Sequence, residues 1–128
     1  MNLNECKLGT AMAVSDMDDA IEFYEGKLGL SAGQETGDGG RTYQCGEGTS
    51  LHIFPSADAG GTGATTAAWA VDDIEAVVDE LTSRGVSFEK YDQPPVVTDE
   101  KGIVALGDAR GAYMKDPAGN VLALGEGF

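Results

Sequence analysis

The side chains best equipped to hold or transform a ligand are His52, Tyr43, Cys45, Phe54 and Tyr113, with Arg110 as a possible anion partner. His52 is the only histidine. An imidazole with an ordinary pKa of about 6.5 suits both ligand binding and proton abstraction; the plainer alternative is a hydrogen-bonded histidine on a strand. No nucleophile with a spaced acid–base partner is legible around it, so no catalytic residue is assigned beyond His52 itself. Cys45 reads as a small buried apolar residue, since no basic neighbour in sequence marks a reactive thiol. Cys6 and Cys45 form neither a metal-type pair nor a disulfide framework.

These residues must be positioned by regular elements, and the periodicity supplies them. Leu8 to Val14 alternates as a strand, with Leu8, Thr10, Met12 and Val14 on one face and Gly9, Ala11 and Ala13 on the other. Ser15-Asp16-Met17-Asp18-Asp19 opens a helix with an oxygen-bearing cap and acids in its first turn. Ala20, Ile21, Tyr24 and Leu28 make its apolar stripe, and Gly29 closes it. Arg41 to Gly46 and Thr49 to Phe54 read as a hairpin about a two-residue Glu47-Gly48 turn. That register sets Cys45 opposite Ser50 and Tyr43 opposite His52, so Tyr43, Cys45, Ser50, His52 and Phe54 are expected on one face.

After a Gly/Ala/Ser-rich stretch the opening repeats. Ala68-Trp69-Ala70-Val71-Asp72-Asp73 echoes Ala11-Met12-Ala13-Val14-Ser15-Asp16. Ile74, Val77, Val78 and Leu81 repeat the helix, and Gly85 ends it. Trp69 falls on the helix-facing side of its strand. Val86 to Tyr91 is a candidate strand, and Gly107 to Gly111 a loop that places Arg110 at a rim. Asp116-Pro117-Ala118-Gly119-Asn120 is a tight turn leading into Val121 to Leu124. Each half is therefore strand, helix and about three strands, with module one at about 1–56, a linker at about 57–65 and module two at about 66–128 of one domain. An internal repeat of this size implies two like units that bury their faces together.

Composition narrows the partners. The 128 residues carry 22 acids and 8 bases, a net charge of −14. Nothing in that balance replaces the counterions of phosphate, so neither nucleic acid nor an anionic membrane is an expected partner. No apolar run approaches the roughly 20 residues of a membrane helix, and Met1 to Glu5 lacks a secretory signal's basic start. A reducing, cytoplasmic setting is expected. The acidity reads first as a solvated surface; a high-salt habitat is the sharper alternative.

The duplicated unit resembles the vicinal oxygen chelate superfamily, which includes glyoxalase I, bleomycin-resistance proteins, fosfomycin-resistance enzymes and extradiol dioxygenases. The resemblance rests on Val14-Ser15-Asp16 with Ala20 to Tyr24 and Leu28-Gly29-Leu30, on Val71-Asp72-Asp73, and on Asp116 to Asn120 followed by Leu122 and Leu124. It implies an α+β fold, two βαβββ modules forming a curved mixed sheet around a concave cavity. It implies a small-molecule ligand and a homodimer. The family's metalloenzymes use four cavity-facing positions, and the matching residues here are Gly9, His52, Thr66 and Ala123. One competent donor in four leaves no metal site and no cofactor expected. The resemblance thus points to a metal-independent small-molecule binder with Tyr43, Cys45, His52, Phe54 and Tyr113 as ligand contacts. The alternative is a lyase, isomerase or dioxygenase-type enzyme using His52 with a partner or metal the sequence does not reveal.

Overall fold

The computed structural model describes residues 2–127. Module one runs β1 (Thr10–Val14), α1 (Met17–Ile21), β2 (Gln34–Glu35), β3 (Arg41–Gln44) and β4 (Ser50–Pro55). A π-helical turn, Glu22–Lys27, extends α1 to Leu28. Module two runs β5 (Thr65–Ala70), α2 (Ile74–Ser83), a small hairpin of β6 (Asp92–Gln93) and β7 (Val96–Val97), then β8 (Ile103–Leu106), β9 (Ala109–Lys115) and β10 (Val121–Glu126). The two sheets have the same order, β1-β4-β3-β2 and β5-β10-β9-β8. In each the first strand pairs parallel with the last, and the other neighbours are antiparallel. β1 lies beside β5, so the sheets meet edge to edge.

The repeat is visible at single residues. Asp16 caps α1 by accepting from Asp19 N at 3.1 Å, and Asp73, 57 positions on, caps α2 from Ala76 N at the same distance. Both helices cover one face of the sheets. Met12, Val14, Leu51 and Ile53 pack there with Ala20, Phe23 and Tyr24, and Ala112, Met114, Leu122 and Leu124 pack with Ile74, Val78 and Leu81. Trp69 is half-buried against this same core and pairs with Leu124. The opposite, concave face is left to Ala11, Ala13, Ala68, Ala70 and Ala123 and to the side chains treated below.

The Asp116–Asn120 turn ties the modules together. The buried Asp116 accepts through Oδ1 from the backbone N–H groups of Ala118 and Asn120, both at 2.9 Å. Its Oδ2 accepts from Tyr24 Oη at 2.8 Å and Asn120 Nδ2 at 2.9 Å. Asn120 Nδ2 also donates to Ala13 O at 2.8 Å. A turn of module two thereby holds both the π-helical turn and the first strand of module one. Burial, and then the adjacent Asp116, push the Tyr24 phenol far above its ordinary pKa.

Three expectations are corrected. The β3–β4 connection is a three-residue loop, Gly46–Gly48, closed by Cys45 N donating to Thr49 O at 2.8 Å. Glu47 and Gly48 both take positive φ, 56° and 79°, as the central pair of a type I′ turn closed by Thr49 N donating to Gly46 O at 3.1 Å, but Gly46 adds one residue that shifts the strand pairing. The register is therefore Thr42 opposite His52 and Tyr43 opposite Leu51. Val86 to Tyr91 is not a strand; Phe88 makes one bridge to Met114, and burial of Val86 and Phe88 explains the apolar spacing. Gly107-Asp108 is a two-residue connection, and Arg110 lies within β9. Among the described residues no helix is long and apolar enough to cross a membrane.

Candidate functional site

β4 alternates, so the burial of Leu51 and Ile53 beneath the helices sends Ser50, His52 and Phe54 to the concave face. The His52 and Phe54 rings stack with centroids 5.8 Å apart and planes 19° from parallel. On one side, β1 places Ala11 beside His52 and Ala13 beside Phe54, which keeps the floor low. On the other, β3 places Thr42 directly across. Thr42 Oγ1 lies 3.0 Å from His52 Nδ1.

The second ring nitrogen meets a carboxylate. Asp38 Oδ2 is 2.7 Å from His52 Nε2. Asp38 sits in the turn before β3, where its Oδ1 accepts from Thr36 Oγ1 at 2.6 Å and Gly40 N at 2.9 Å. Gly40 belongs there for lack of room: a Cβ would stand 2.0 Å from Ile53 O. The Thr36 hydroxyl, then the His52 imidazole and the Gly40 N–H, hold the Asp38 carboxyl well below the usual carboxylate range. The result is a carboxylate–imidazole–hydroxyl chain at the edge of the concave face, with a quarter of the His52 side chain exposed. Such a chain can fix a tautomer, bind a polar group or pass a proton.

Module two carries the counterpart. Tyr113 faces Ala123 across β9 and β10 as Thr42 faces His52 across β3 and β4. Tyr113 meets Tyr91 edge to face at 5.9 Å. With Leu106, Ala68, Ala70, Gly111, Ala123 and Gly125 it lines a cavity of about 220 Å³.

The sequence-derived contacts thus divide. His52 and Phe54 come together on one module, and Tyr113 lies on the concave face of the other. Tyr43 does not share their face. The three-residue loop turns it under the helices, where it is fully buried and donates to Glu25 Oε2 at 2.9 Å. Arg41 Nη1 donates to the same oxygen at 3.0 Å, making Tyr43 part of the pin that holds the π-helical turn. Burial, and then Glu25, push its phenol up to about 12. Cys45 shares that parity; it is half-buried against the core and borders a groove beside Thr10, Ser50 and Ala68. Arg110 is engaged by Glu126 at 3.1 Å and Glu75 at 3.4 Å, and Glu126 also accepts from Ile74 N at the start of α2. It serves the helix and not a rim. Asp38 and Thr42 were missed. The signal for Asp38 was a Thr-x-Asp-Gly-Gly turn; Thr42 needed the correct loop length.

The donor set does not fit a metal. In the two parallel pairs Ala11 stands beside His52 and Ala68 beside Ala123. Gly9 and Thr66, one alternation away, add no strong ligand. Among the described residues no three His, Cys, Asp or Glu side chains converge as a metal site would require.

A family model described as the glyoxalase/bleomycin resistance protein/dioxygenase superfamily matches residues 8–124. Among solved structures the chain is similar to lactoylglutathione lyase from Agrobacterium tumefaciens, at 26% identity and a TM-score of 0.62, covering 95% of this chain and 93% of that one. It is similar to TnmS3, an antibiotic binding protein from Streptomyces sp. CB03234, at 26% identity and a TM-score of 0.57, covering 94% and 95%. A glyoxalase/bleomycin resistance protein from Catenulispora acidiphila DSM 44928 shares the fold at a TM-score of 0.66 and 24% identity, covering 94% and 96%. No curated protein matches in sequence.

Proposed function

The chain belongs to the glyoxalase/bleomycin resistance protein/dioxygenase superfamily, and from that premise we propose that it is a metal-independent small-molecule binding protein. The ligand rests on the concave face, against His52, Phe54 and Thr42 of one module and Tyr113 of the other. One observation carries the reading: three of the four strand positions that frame the concavity are alanine, and His52 is the lone donor. Ni²⁺, Zn²⁺ and Fe²⁺ want three or four protein ligands. The antibiotic-binding neighbour is consistent with it. We propose a homodimer in which a second copy completes the concavity, and a reducing cytoplasm as its setting.

Metal analysis of the purified protein tests the reading, together with melting curves in the presence of Ni²⁺ and Zn²⁺. No stoichiometric metal and no rise in Tm are expected. A strong rise that His52→Ala abolishes would reverse it. Light scattering across micromolar concentrations tests the dimer. A second reading, a lyase or isomerase, is favoured by Asp38, the acid partner His52 needs. Turnover by metal-free protein that His52→Ala removes would put it first.

A further inference from the structure

We propose that the Asp38–His52–Thr42 chain is a recognition site for a ligand group bearing an O–H or N–H donor, with Asp38 as the residue that sets its polarity. The inference rests on the reading of the concave face as the ligand site. An ionised carboxylate accepts hydrogen bonds and donates none. Asp38 Oδ2, 2.7 Å from Nε2, therefore requires the proton on Nε2. In the neutral imidazole Nδ1 is then an acceptor. The partner within reach is Thr42 Oγ1 at 3.0 Å, so the hydroxyl donates its single hydrogen to Nδ1. What Thr42 has left for the concave face is lone pairs. The half-buried hydroxyl thus presents an acceptor, and a ligand meets it with a donor.

Asp38 cannot release this arrangement easily. Both its oxygens are occupied, Oδ1 by Thr36 and Gly40 and Oδ2 by His52. Around the imidazole, β1 offers Ala11, β3 offers Thr42 and Gln44, and β4 offers Ser50 and Phe54. None of these neighbours is charged, and the carboxylate in contact with the ring is that of Asp38. Phe54, stacked beside His52, supplies an apolar wall for a planar body. A phenol combines both requirements and anisole, its methyl ether, lacks only the donor.

The single histidine makes the test direct. Protein ¹⁵N-labelled at histidine is followed from about pH 5 to about pH 10. Neutral His52 is expected with hydrogen on Nε2, seen as an exchange-protected proton resonance, and with an unprotonated Nδ1. Asp38→Ala should remove that protection. Thr36→Val, which takes a loop bond from the same carboxylate without touching the ring, should keep it. Thr42→Val should shift Nδ1 alone. Phenol is then titrated against anisole, with a preference of about five- to tenfold expected in the wild type and none in Thr42→Val. Neutral His52 protonated on Nδ1, or an Nε2–H indifferent to Asp38→Ala, overturns the proposal. The wild-type spectrum and Thr42→Val decide it even if Asp38→Ala does not fold. The predicted spectrum without a phenol preference overturns the acceptor assignment. A metal that binds through His52 would instead sink the reading beneath it.

Discussion

At the scale of single residues, parity separates core from site on one strand. Ile53 is fully buried beneath the helices, whereas His52, its neighbour, is partly exposed on the concave face. Ile53→Ala should lower stability by about 2–5 kcal/mol in urea unfolding, as a core truncation. His52→Ala should cost about 1 kcal/mol, since its partners regain water. A reversal of that order would mean that β4 presents its other face. Asp38 makes a prediction with a definite sign. Its folded-state pKa is depressed, so its contribution is complete above the unfolded value of about 3.9 and is lost progressively as pH falls from there through the folded value. The stability gap between wild type and Asp38→Ala should therefore narrow in acid. Unfolding curves at about pH 6 and about pH 3 check this, and a gap that widened in acid would remove the carboxylate's assigned role.

At the scale of elements, the β3–β4 loop is decisive. One residue more than a two-residue turn moves Tyr43 from the ligand face to the core and brings Thr42 to His52. Gly40 guards the same arrangement from the other end of β3. Gly40→Ala should cost about 2–3 kcal/mol, because its Cβ has no space beside Ile53 O, and it should also loosen Asp38. A circular dichroism melt measures the first effect, and loss of the His52 Nε2–H resonance the second. An unchanged Tm would show that the strand can shift to admit a methyl group.

At the scale of the molecule, two buried phenols govern the alkaline limit. Tyr43 is pushed up to about 12, and burial raises Tyr24 as well. A raised folded pKa contributes stability that is complete below the unfolded value of about 10 and is lost as pH rises through the folded one. Stability should fall as pH climbs from about 10 toward 12. Tyr43→Phe should flatten that fall in urea midpoints, and an unaltered slope would remove Tyr43 from the account. Charge acts on the whole surface. A net −14 repels itself, so Tm should rise as salt goes from about 10 mM to about 1 M and the Debye length shrinks. A flat Tm would mean that the eight lysine and arginine ion pairs among described residues already balance the field.

Local chemistry was enough to read the duplicated plan. Alternation of Met12 and Val14, the acid caps at Asp16 and Asp73, and the Asp116–Asn120 turn depend on neighbours a few residues away, so they are legible in the chain itself. The faces of β1, β4 and β5 followed for the same reason, and with them the placement of His52 and Phe54. What tertiary structure decided was everything that hangs on one residue of register or on contacts across the chain. Tyr43 went to the core because a loop is three residues long, and Arg110 to α2 because Glu126 and Glu75 converge there. Asp38 reaches His52 across 14 positions, and Asp116 reaches Tyr24 across 92. Periodicity carries no information about such pairings, since a strand's alternation fixes which side a residue faces but not which residue faces it.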